Sequence, residues 1–456
     1  KRWWKMSAGQ NKSAKLEEAE IGNKWISLPL EDCMEVIIDY RGKTPQKTSV
    51  GIPLITAKIV KGGSIDSPDE FISINDYRAW MSRGIPKIGD IIITTEAPLG
   101  EVAQLKSEHV ALAQRIITLR GKTNLLDNTF LKFLLLSQRV QNQLYSRASG
   151  TTVLGIKQSE LRKISLYFPP LEDQRAIAHI LGTLDDKIEL NRRTNETLEA
   201  MAQALFKFWF VDFGPVRAKM EGRWRRGQSL PGLPAHLFDL FPDRLVDSEL
   251  GEIPEGWEVV KVSDIGKIVC GKTPSTKIPE YYGDDISFIT IPDMHNNIFA
   301  ATTQKKLSYL GANSQTNKTL PPNTICISCI ATPGLVIITT ERSQTNQQIN
   351  SIIINESNET YYWFWIFRNL NNIIKASGSG GSVLVNLSTG RFSELRILSS
   401  SKKLRQLYHL CIMPFFERVL IGLQENITLT AMRDTLLPKL ISGKLRVKDA
   451  EKIIRG

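Results

Sequence analysis

One segment of the sequence has the residue spacing of a phosphate-binding loop. Residues 266–273 read GKIVCGKT and fit the pattern G-x-x-x-x-G-K-[ST], in which backbone amides and a lysine hold nucleotide phosphates. Such a loop runs directly into a helix, whose N-terminus completes the phosphate site. Here Pro274 follows the threonine at once, and the related segment 37–44 lacks the first glycine. We therefore predict that this segment does not bind a nucleotide.

The other residues that could do chemistry form no familiar catalytic or metal-binding pattern. Cys326 and Cys329 make a single C-x-x-C in an apolar run, whereas structural zinc needs four ligands. The five histidines are widely separated, and neither Pro-Pro pair, at 169–170 or 321–322, lies in the Asn-Pro-Pro-aromatic motif of an adenine methyltransferase. We predict a chain without catalytic residues, metal or cofactor of its own, whose task is binding.

The net charge favours a polyanionic partner. The 456 residues include 58 Lys and Arg against 47 Asp and Glu, a formal net charge of +11. Such a surplus is typical of nucleic-acid binding, although a basic protein without such a partner is the alternative. Five cysteines suit a reducing compartment, and no apolar run reaches the roughly 18 residues of a membrane span. We expect a cytoplasmic protein.

An internal repeat dominates the chain. Residues 195–201 read NETLEAM, and residues 426–432 read NITLTAM. The tetrapeptide GKTP occurs at 42–45 and again at 271–274, and other landmarks recur at similar offsets. Offsets that vary by a few residues are what loop insertions and deletions produce. One unit of about 230 residues is therefore used twice.

Each repeat begins with a mixed domain and ends in a long helical segment. Short β-branched runs punctuated by Gly, Pro and Asp predict α+β domains at 25–170 and 257–401, here called the first head and the second head. Helical segments follow at 171–213 and 402–456, residues 1–24 form an N-terminal arm, and 214–256, with its basic cluster, reads as a linker. The predicted fold class is α+β.

The helical segments share one apolar stripe with coiled-coil spacing. Its first copy comprises Ile177, Leu181, Leu184, Ile188, Asn191, Asn195, Leu198, Ala202, Leu205 and Trp209, and its second comprises Tyr408, Ile412, Phe415, Val419, Gly422, Asn426, Leu429, Arg433, Leu436 and Leu440. A helix of about 38 residues would be roughly 57 Å long, which is too long to be buried in one small domain. Pseudo-two-fold symmetry would pack the two helices as an antiparallel coiled coil, with the asparagines setting the register.

Two unlike heads joined by such a pair of long helices are suited to the recognition of two separated sites on one DNA duplex. A pseudo-two-fold protein matches half-sites at a spacing that its own geometry fixes. The heads differ almost everywhere outside the repeated landmarks. We therefore predict an asymmetric, bipartite DNA target.

Four segments carry a family resemblance that covers nearly the whole chain after residue 24. They read FPPLEDQR at 168–175, FWFVDFG at 208–214, EIPEGW at 252–257 and LLPKLISG at 436–443. Together they closely resemble the conserved regions of type I restriction–modification specificity subunits. Two features depart from the family pattern: the arm at 1–24, and the second copy of the FPPLEDQ motif, which is degraded at 398–404.

The resemblance implies two target recognition domains joined by two long helices that form an antiparallel spacer. It further implies assembly with two methylation subunits, which bind S-adenosylmethionine and methylate adenine at N6. Restriction subunits that use ATP and Mg would join them in the full complex. The absence of catalytic motifs from this sequence agrees with that division of labour.

Loops that occur in both halves supply the candidate DNA-binding residues. Flexible backbone with donors suits phosphates, and paired amide or guanidinium groups suit adenine or guanine edges. The alternative for each residue is a structural turn that the fold requires. The candidates are Arg41, Lys43, Thr44, Gln114, Arg115, Ser149 and Thr151 in the first head, and Lys272, Thr273, Gln347, Gln348, Ser377 and Ser379 in the second.

Two other functions stay open from the sequence alone. The chain could be the recognition chain of another restriction–modification enzyme, either fused or type II-like. It could also be a non-catalytic structural tether, which would leave the charge and the unlike heads unexplained.

Overall fold

The computed structural model describes residues 25–40, 44–330, 332, 334–376 and 387–455. The predicted arm at 1–24 lies outside the described residues. The chain divides into two compact units. The first unit comprises the chain up to Glu189 together with the chain from Ile427, and the second comprises Leu190–Asn426. Each head therefore belongs to a different unit.

The first head combines short strands with short helices. Its strands are β1 (Ile26–Pro29), β2 (Met34–Asp39), β3 (Lys47–Thr48), β4 (Ile52–Ile55), β5 (Val60–Lys61), β6 (Ser64–Ile65), β7 (Phe71–Ile72), β8 (Ile91–Thr95), β9 (Leu99–Gln104), β10 (Ala111–Leu112), β11 (Ile116–Gly121) and β12 (Ser165–Phe168). Its helices are α1 (Leu30–Cys33), α2 (Tyr77–Trp80), α3 (Asn128–Leu136), α4 (Gln138–Arg147) and α5 (Gln158–Arg162), with a 3₁₀ turn at Ala57–Ile59.

The central sheet of the first head is antiparallel, with the order β2-β11-β8-β9. Strand β8 reads IIITT and is buried along its whole length because both of its faces are covered. Ile91 and Ile93 pack with Phe130 of α3, whereas Ile92 packs with Leu54 of the smaller sheet β10-β4-β7-β3. The head thus has three layers: helices, central sheet and small sheet.

The second unit begins within a long helix and continues through the predicted linker. The elements here are α6 (Leu171–Phe206), a π-helical turn (Lys207–Val211), α7 (Gly214–Met220), a 3₁₀ turn (Ala235–Leu240) and the hairpin β13 (Leu245–Ser248) to β14 (Gly251–Pro254). The linker is folded, because Trp224, Leu237 and Ile253 are buried in one core with residues of the second head. In its basic cluster Lys219 pairs with Asp243 at 2.9 Å.

The second head contains the same kinds of element. Its strands are β15 (Glu258–Lys261), β16 (Gly266–Cys270), β17 (Tyr282–Ile289), β18 (Phe299–Ala300), β19 (Lys305–Leu307), β20 (Ile325–Ser328), β21 (Val336–Thr339), β22 (Ser343–Thr345), β23 (Ile349–Ile354) and β24 (Arg396–Ser399). Its helices are α8 (Val262–Ile265), α9 (Tyr309–Asn313), α10 (Thr360–Ala376) and α11 (Thr389–Ser393), with 3₁₀ turns at Pro279–Tyr281, Ile291–Met294, Thr316–Lys318 and Ser357–Glu359. The chain continues through α12 (Lys402–Ile441) and α13 (Val447–Arg455).

The sheet order of the first head returns in the second. The central sheet runs β16-β23-β20-β21-β18, and its first four strands repeat the order and antiparallel pairing of β2-β11-β8-β9. Strand β17 is parallel to β22 and antiparallel to β19, as β4 is to β10 and β7. The duplication and the α+β fold class predicted from the sequence are therefore confirmed.

Helices α6 and α12 pack in antiparallel fashion within each unit. In the first unit Leu181 of α6 shares a core with Leu440 of α12, and Arg433 contacts Asp185 at 2.9 Å. In the second unit the Tyr408 hydroxyl donates to the carbonyl of Ala202 at 2.8 Å. Residue numbers on α12 decrease as the numbers of their partners on α6 increase. This is the antiparallel packing predicted from the stripe.

A polar layer lies in the part of this helix pair that belongs to the second unit. Asn191 donates to Glu425 at 2.8 Å and to Asn426 at 3.0 Å, and Asn195 donates to the carbonyl of Val419 at 3.2 Å. A Cβ atom at Gly422 would lie 2.7 Å from the Asn195 side chain. Further along, Phe416 is fully buried rather than Phe415 of the predicted stripe. Among the described residues, no helix combines the length and apolarity needed to cross a bilayer.

Candidate nucleic-acid interface

In the first head, candidate residues that are distant in sequence meet at one edge of the central sheet. Strand β2 ends just before Thr44, β8 ends just before Glu96, and β11 begins just after Gln114 and Arg115. Because neighbouring strands are antiparallel, the ends of β2 and β8 and the start of β11 share this edge. We call residues 44, 96, 114–115 and 149–155 the first loop cluster.

A hydrogen bond and an ion pair connect side chains of the first loop cluster. The Gln114 Nε2 atom donates to Thr44 Oγ1 at 3.2 Å. The guanidinium of Arg115 lies 3.7 Å from the Glu96 carboxylate, and both side chains are about half exposed. Arg115 has a backbone φ of +74°, in the left-handed region that non-glycine residues seldom adopt. The candidates Arg41 and Lys43 lie outside the described residues.

The loop at 149–155 is fastened beside the end of β8. Ser149 and Gly155 exchange two backbone hydrogen bonds, at 2.8 and 2.9 Å, and Gly155 also forms a bridge with Glu96. Gly150 has a φ of +124°, and a Cβ atom there would lie 2.1 Å from the carbonyl oxygen of Val153, so the turn requires glycine. The Ser149 amide is consequently used inside the loop, while its side chain and Thr151 are exposed.

A cleft of about 320 Å³ adjoins the first loop cluster beside Thr44. Tyr40 and Trp80 line it with rings 5.9 Å apart and nearly parallel. Asp76 and Arg83 supply charged groups at its wall. The cleft therefore combines aromatic surface with polar groups next to a candidate DNA-contacting residue.

The second head presents the corresponding loops at the corresponding edge. Lys272 and Thr273 follow β16, Ile330 follows β20, and Gln347 and Gln348 precede β23. We call residues 271–273, 330 and 346–348 the second loop cluster. The candidates Ser377 and Ser379 lie outside the described residues.

The backbone of the GKT segment is fixed by its neighbours. The Lys272 amide donates to the carbonyl of Thr345 at 2.9 Å, and the Lys272 carbonyl accepts from Gln315 at 2.8 Å. A Cβ atom at Gly271 would lie 2.1 Å from the carbonyl oxygen of Asn346, so no larger residue fits. The chain stays irregular from Gly271 to the turn at Pro279–Tyr281. The helix that a phosphate-binding loop needs does not follow, whereas the Lys272 side chain is exposed and suits a single phosphate contact.

The two clusters share one hydrogen bond between side chains of the same type. Thr273 Oγ1 donates to Gln347 Oε1 at 2.6 Å, as Thr44 pairs with Gln114 in the first head. Sequence reasoning selected these four residues separately but missed that they pair. The signal was present, since both members of the pair recur in the second half at similar offsets. Glu96 and Ile330 were missed altogether, because only strand pairing brings them to the cluster.

The thiols of the C-x-x-C segment are buried and unreactive. Cys326 and Cys329 have almost no exposed surface, and burial raises the pKa of the Cys326 thiol to about 12. A thiol with such a pKa stays protonated at neutral pH and is a poor nucleophile. Among the described residues, no group of three or more His, Cys, Asp or Glu is placed to hold a metal ion.

Comparisons with known proteins agree on one family. The family model described as type I restriction modification DNA specificity domain matches residues 23–200 and 254–398. The specificity subunit of the type I restriction enzyme HindI from Haemophilus influenzae is 36% identical over 417 residues, covering 82% of this chain and 90% of the relative. The MjaIX specificity subunit from Methanocaldococcus jannaschii is 25% identical over 453 residues, covering 95% and 97%.

A solved structure shows the same fold. It is the crystal structure of the type I restriction–modification S subunit from M. genitalium, which is 15% identical to this chain. The superposition covers 92% of this chain and 96% of that one, with a TM-score of 0.54.

Proposed function

The chain belongs to the type I restriction–modification DNA specificity family, and from that premise we propose that each head reads one half of a bipartite DNA target. The chain is the sequence-specificity subunit of such a system and is not itself a catalyst. The proposal concerns which surfaces recognise DNA and which subunits join them.

The observation that carries the proposal is the pair of loop clusters. Both lie at the same edge of the same kind of sheet, and both contain a Thr–Gln hydrogen bond beside a residue that differs between the heads. Loops held by a rigid sheet are the usual location of recognition residues. A formal net charge of +11 favours the approach of each cluster to DNA phosphates.

The difference between the clusters supports an asymmetric target. The first presents Arg115 beside Glu96, and the second has Gln348 and Ile330 at the corresponding positions of its backbone. These side chains have different hydrogen-bonding groups, so they suit different base pairs. We expect two unlike half-sites separated by a fixed spacer.

The partners follow from the family rather than from this chain. We expect two methylation subunits, which bind S-adenosylmethionine and transfer its methyl group to adenine N6. Restriction subunits that bind ATP and Mg would complete the assembly. This chain would supply the recognition surfaces for all of them.

Methylome mapping tests the proposal directly. The chain is co-expressed with its methylation subunits, and methylated adenines are mapped in the host genome. One bipartite motif with two different half-sites is expected, and the chain without methylation subunits should methylate nothing. Replacing residues 257–401 by the second head of a relative should change one half-site and leave the other intact. A simultaneous change of both half-sites would contradict separate reading by the two heads.

A salt titration of DNA binding by the assembled complex provides an independent test. Affinity for duplex DNA should fall steeply with salt, because each phosphate contact releases counterions. A Lys272→Ala variant should show a shallower salt dependence, with the half-site sequences unchanged. Absence of salt-dependent duplex binding would favour the structural tether instead.

A further inference from the structure

One position in each loop cluster is equivalent in its backbone hydrogen bonding and different in its side chain. The Thr95 amide donates to the carbonyl of Arg115 at 2.8 Å, and the Cys329 amide donates to the carbonyl of Gln348 at 2.9 Å. These bonds join the end of one strand to the residue that precedes its neighbour, in the same way in both heads. Arg115 and Gln348 therefore occupy the same place on the two sheets.

The residue beside this position also differs between the heads. Glu96 directly follows Thr95, and its carboxylate lies 3.7 Å from the Arg115 guanidinium. Ile330 directly follows Cys329 and is 38% exposed, so its side chain is accessible to a ligand. The Gln348 amide oxygen accepts from Asn346 at 3.1 Å, which orients the amide. Each head thus presents two residues at corresponding backbone positions, an ion pair in the first and an amide with an apolar residue in the second.

The pair in the first head does little for folding stability. An ion pair with both partners about half exposed contributes little, because water and salt screen it. The left-handed backbone of Arg115 carries a conformational cost that such a pair does not offset. Strain at an exposed, charged loop position is a feature of functional sites. The arrangement is therefore explained better by a ligand than by the fold.

The chemistry of each pair matches both bases of one base pair. In the major groove an arginine fork binds guanine O6 and N7, and a carboxylate accepts from cytosine N4. A glutamine amide binds adenine N6 and N7, and an apolar side chain contacts the thymine methyl group. Arg115 with Glu96 therefore complements G·C, whereas Gln348 with Ile330 complements A·T.

We propose that Arg115 and Glu96 read a G·C pair in one half-site, and that Gln348 and Ile330 read an A·T pair at the equivalent position of the other. The inference rests on the proposed function and specifies its chemistry. Glu96 also positions Arg115, since it holds the guanidinium at the edge of the sheet. The two residues in each head form one specificity element, and the elements of the two heads should be exchangeable.

The decisive experiment exchanges this element within the full chain. The double variant Arg115→Gln with Glu96→Ile is assembled with the methylation subunits, and its methylated motif is compared with that of the unmodified complex. One base pair of the first half-site should change its preference from G·C to A·T, by roughly 10- to 100-fold. The second half-site should stay the same. The reciprocal variant, Gln348→Arg with Ile330→Glu, should change only the second half-site.

A matched control is available in the same head. Arg162 lies 3.8 Å from Glu31, with similar exposure, on the helices α5 and α1. The variant Arg162→Gln with Glu31→Ile makes the same chemical changes away from the loop cluster. Its motif should equal that of the unmodified complex.

The variant Glu96→Gln distinguishes two roles of Glu96: positioning the Arg115 side chain, and supporting the fold of the loop alone. Removing a negative charge from the interface should leave the overall DNA affinity equal or higher. Discrimination at the G·C pair should nevertheless fall several-fold, because the neutral amide holds the Arg115 guanidinium less firmly and has one accepting oxygen instead of two. A structural role would instead lower affinity and discrimination together.

Failures of the two proposals can be told apart. If the unmodified complex yields no bipartite motif, the proposed function fails. If the exchanged variant methylates the original motif unchanged, the specificity element is wrong while the proposed function stands. A folded variant, judged by its thermal melting, that binds a library of randomised first half-sites without any base preference would also overturn the specificity element.

Discussion

The two heads meet their long helices through different chemistry at equivalent positions. In the first unit Gln174 of α6 is fully buried, accepts from the Asp127 amide at 3.0 Å and donates to the carbonyls of Leu125 and Pro169 at 3.0 and 2.8 Å. Every polar atom of this amide faces a suitable partner. The first junction is therefore neutral and fully hydrogen-bonded.

In the second unit Arg405 of α12 takes the place of that glutamine, because β24 ends at Ser399 as β12 ends at Phe168, and α12 begins at Lys402 as α6 begins at Leu171. The structure therefore places the second copy of the motif at 399–405, one residue later than the sequence alone suggests. The Arg405 guanidinium binds the buried Glu359 carboxylate at 2.7 Å and the Ser399 hydroxyl at 2.8 Å, and it also donates to the carbonyl of Ser400. Among the described residues, Glu359 Oε1 and Ser400 Oγ have no hydrogen-bond partner. The contact between head and long helix is thus made by a neutral amide in the first unit. In the second unit it is made by an ion pair, next to two polar atoms for which the described residues provide no hydrogen-bond partner.

The buried arginine and its carboxylate partner account for a departure of the second repeat from the FPPLEDQ motif. Once arginine replaces the glutamine, the surrounding residues must neutralise a buried charge, and Glu359 does so. A conserved geometry therefore does not require a conserved residue, provided that each buried polar group keeps a partner.

The largest expected effect comes from placing a charge in the neutral junction. Gln174→Glu keeps the side-chain shape but puts a carboxylate against two carbonyl oxygens and removes both of their donors. We expect the first unit to lose about 4 kcal/mol of stability. Hydrogen exchange of β11 amides measures this loss, and amides of β23 in the second head serve as the internal control. A loss below about 1 kcal/mol would mean that water reaches this junction.

Removing the cation from the second junction should have the next largest effect. Arg405→Ala leaves the Glu359 carboxylate buried and uncompensated, which costs about 3 kcal/mol in the second unit. Adding Glu359→Gln should recover more than half of that loss, because the pair is then neutral. Hydrogen exchange of β23 amides in the single and double variants checks both values. Equal losses in the two variants would show that packing, not charge, holds this junction.

Acid should destabilise the second unit selectively through His409. Its ring stacks on Tyr361 at 4.3 Å, and burial lowers its pKa to about 4, whereas the first repeat has Ala178 at this position. The unfolded chain binds this proton near pH 6.5, so unfolding takes up a proton between pH 6.5 and 4. Stability attributable to His409 is therefore complete above pH 6.5 and falls by about 2 to 3 kcal/mol as the pH drops to about 4.5.

Hydrogen exchange of each unit between pH 7 and pH 4.5 measures this effect, after correction for the intrinsic exchange rate. The variant His409→Gln should remove the pH dependence that is specific to the second unit. If it leaves that dependence unchanged, other groups are responsible.

The smallest effect should come from removing the Thr–Gln hydrogen bond that occurs in both heads. Gln114→Ala and Gln347→Ala each remove one exposed hydrogen bond to a threonine, worth about 1 kcal/mol. Each should weaken DNA binding by the assembled complex about five-fold, since the loop loses its fixed geometry. Fluorescence anisotropy with a cognate duplex provides the measurement. Strongly unequal losses would show that the Thr–Gln pair plays different roles in the two heads.

The sequence predicts those features that depend on local periodicity. The stripe containing Ile177, Leu181 and Leu184 needs only local periodicity, so both long helices were predictable, whereas their antiparallel packing followed from the duplication of the chain. The duplicated landmarks likewise predict two similar heads.

The remaining features depend on contacts between distant residues. Glu96 reaches Arg115, and Glu359 reaches Arg405, only through strand pairing and helix packing that no local pattern specifies. The Pro, Gly and basic residues of segment 214–256 predict a linker, but the segment is folded and Trp224 is buried in the core. The selected DNA-binding residues stay a prediction, although the structure brings several of them together.

The division of the chain into units has a consequence for its synthesis. Residues 190–426 of the second unit are continuous, so this unit can fold as soon as it has left the ribosome. The core of the first unit includes Leu436, Leu440 and Ala450, which are translated after the whole second unit. The head that is made first is therefore completed last, and it must wait with an open hydrophobic surface until translation has passed Ala450.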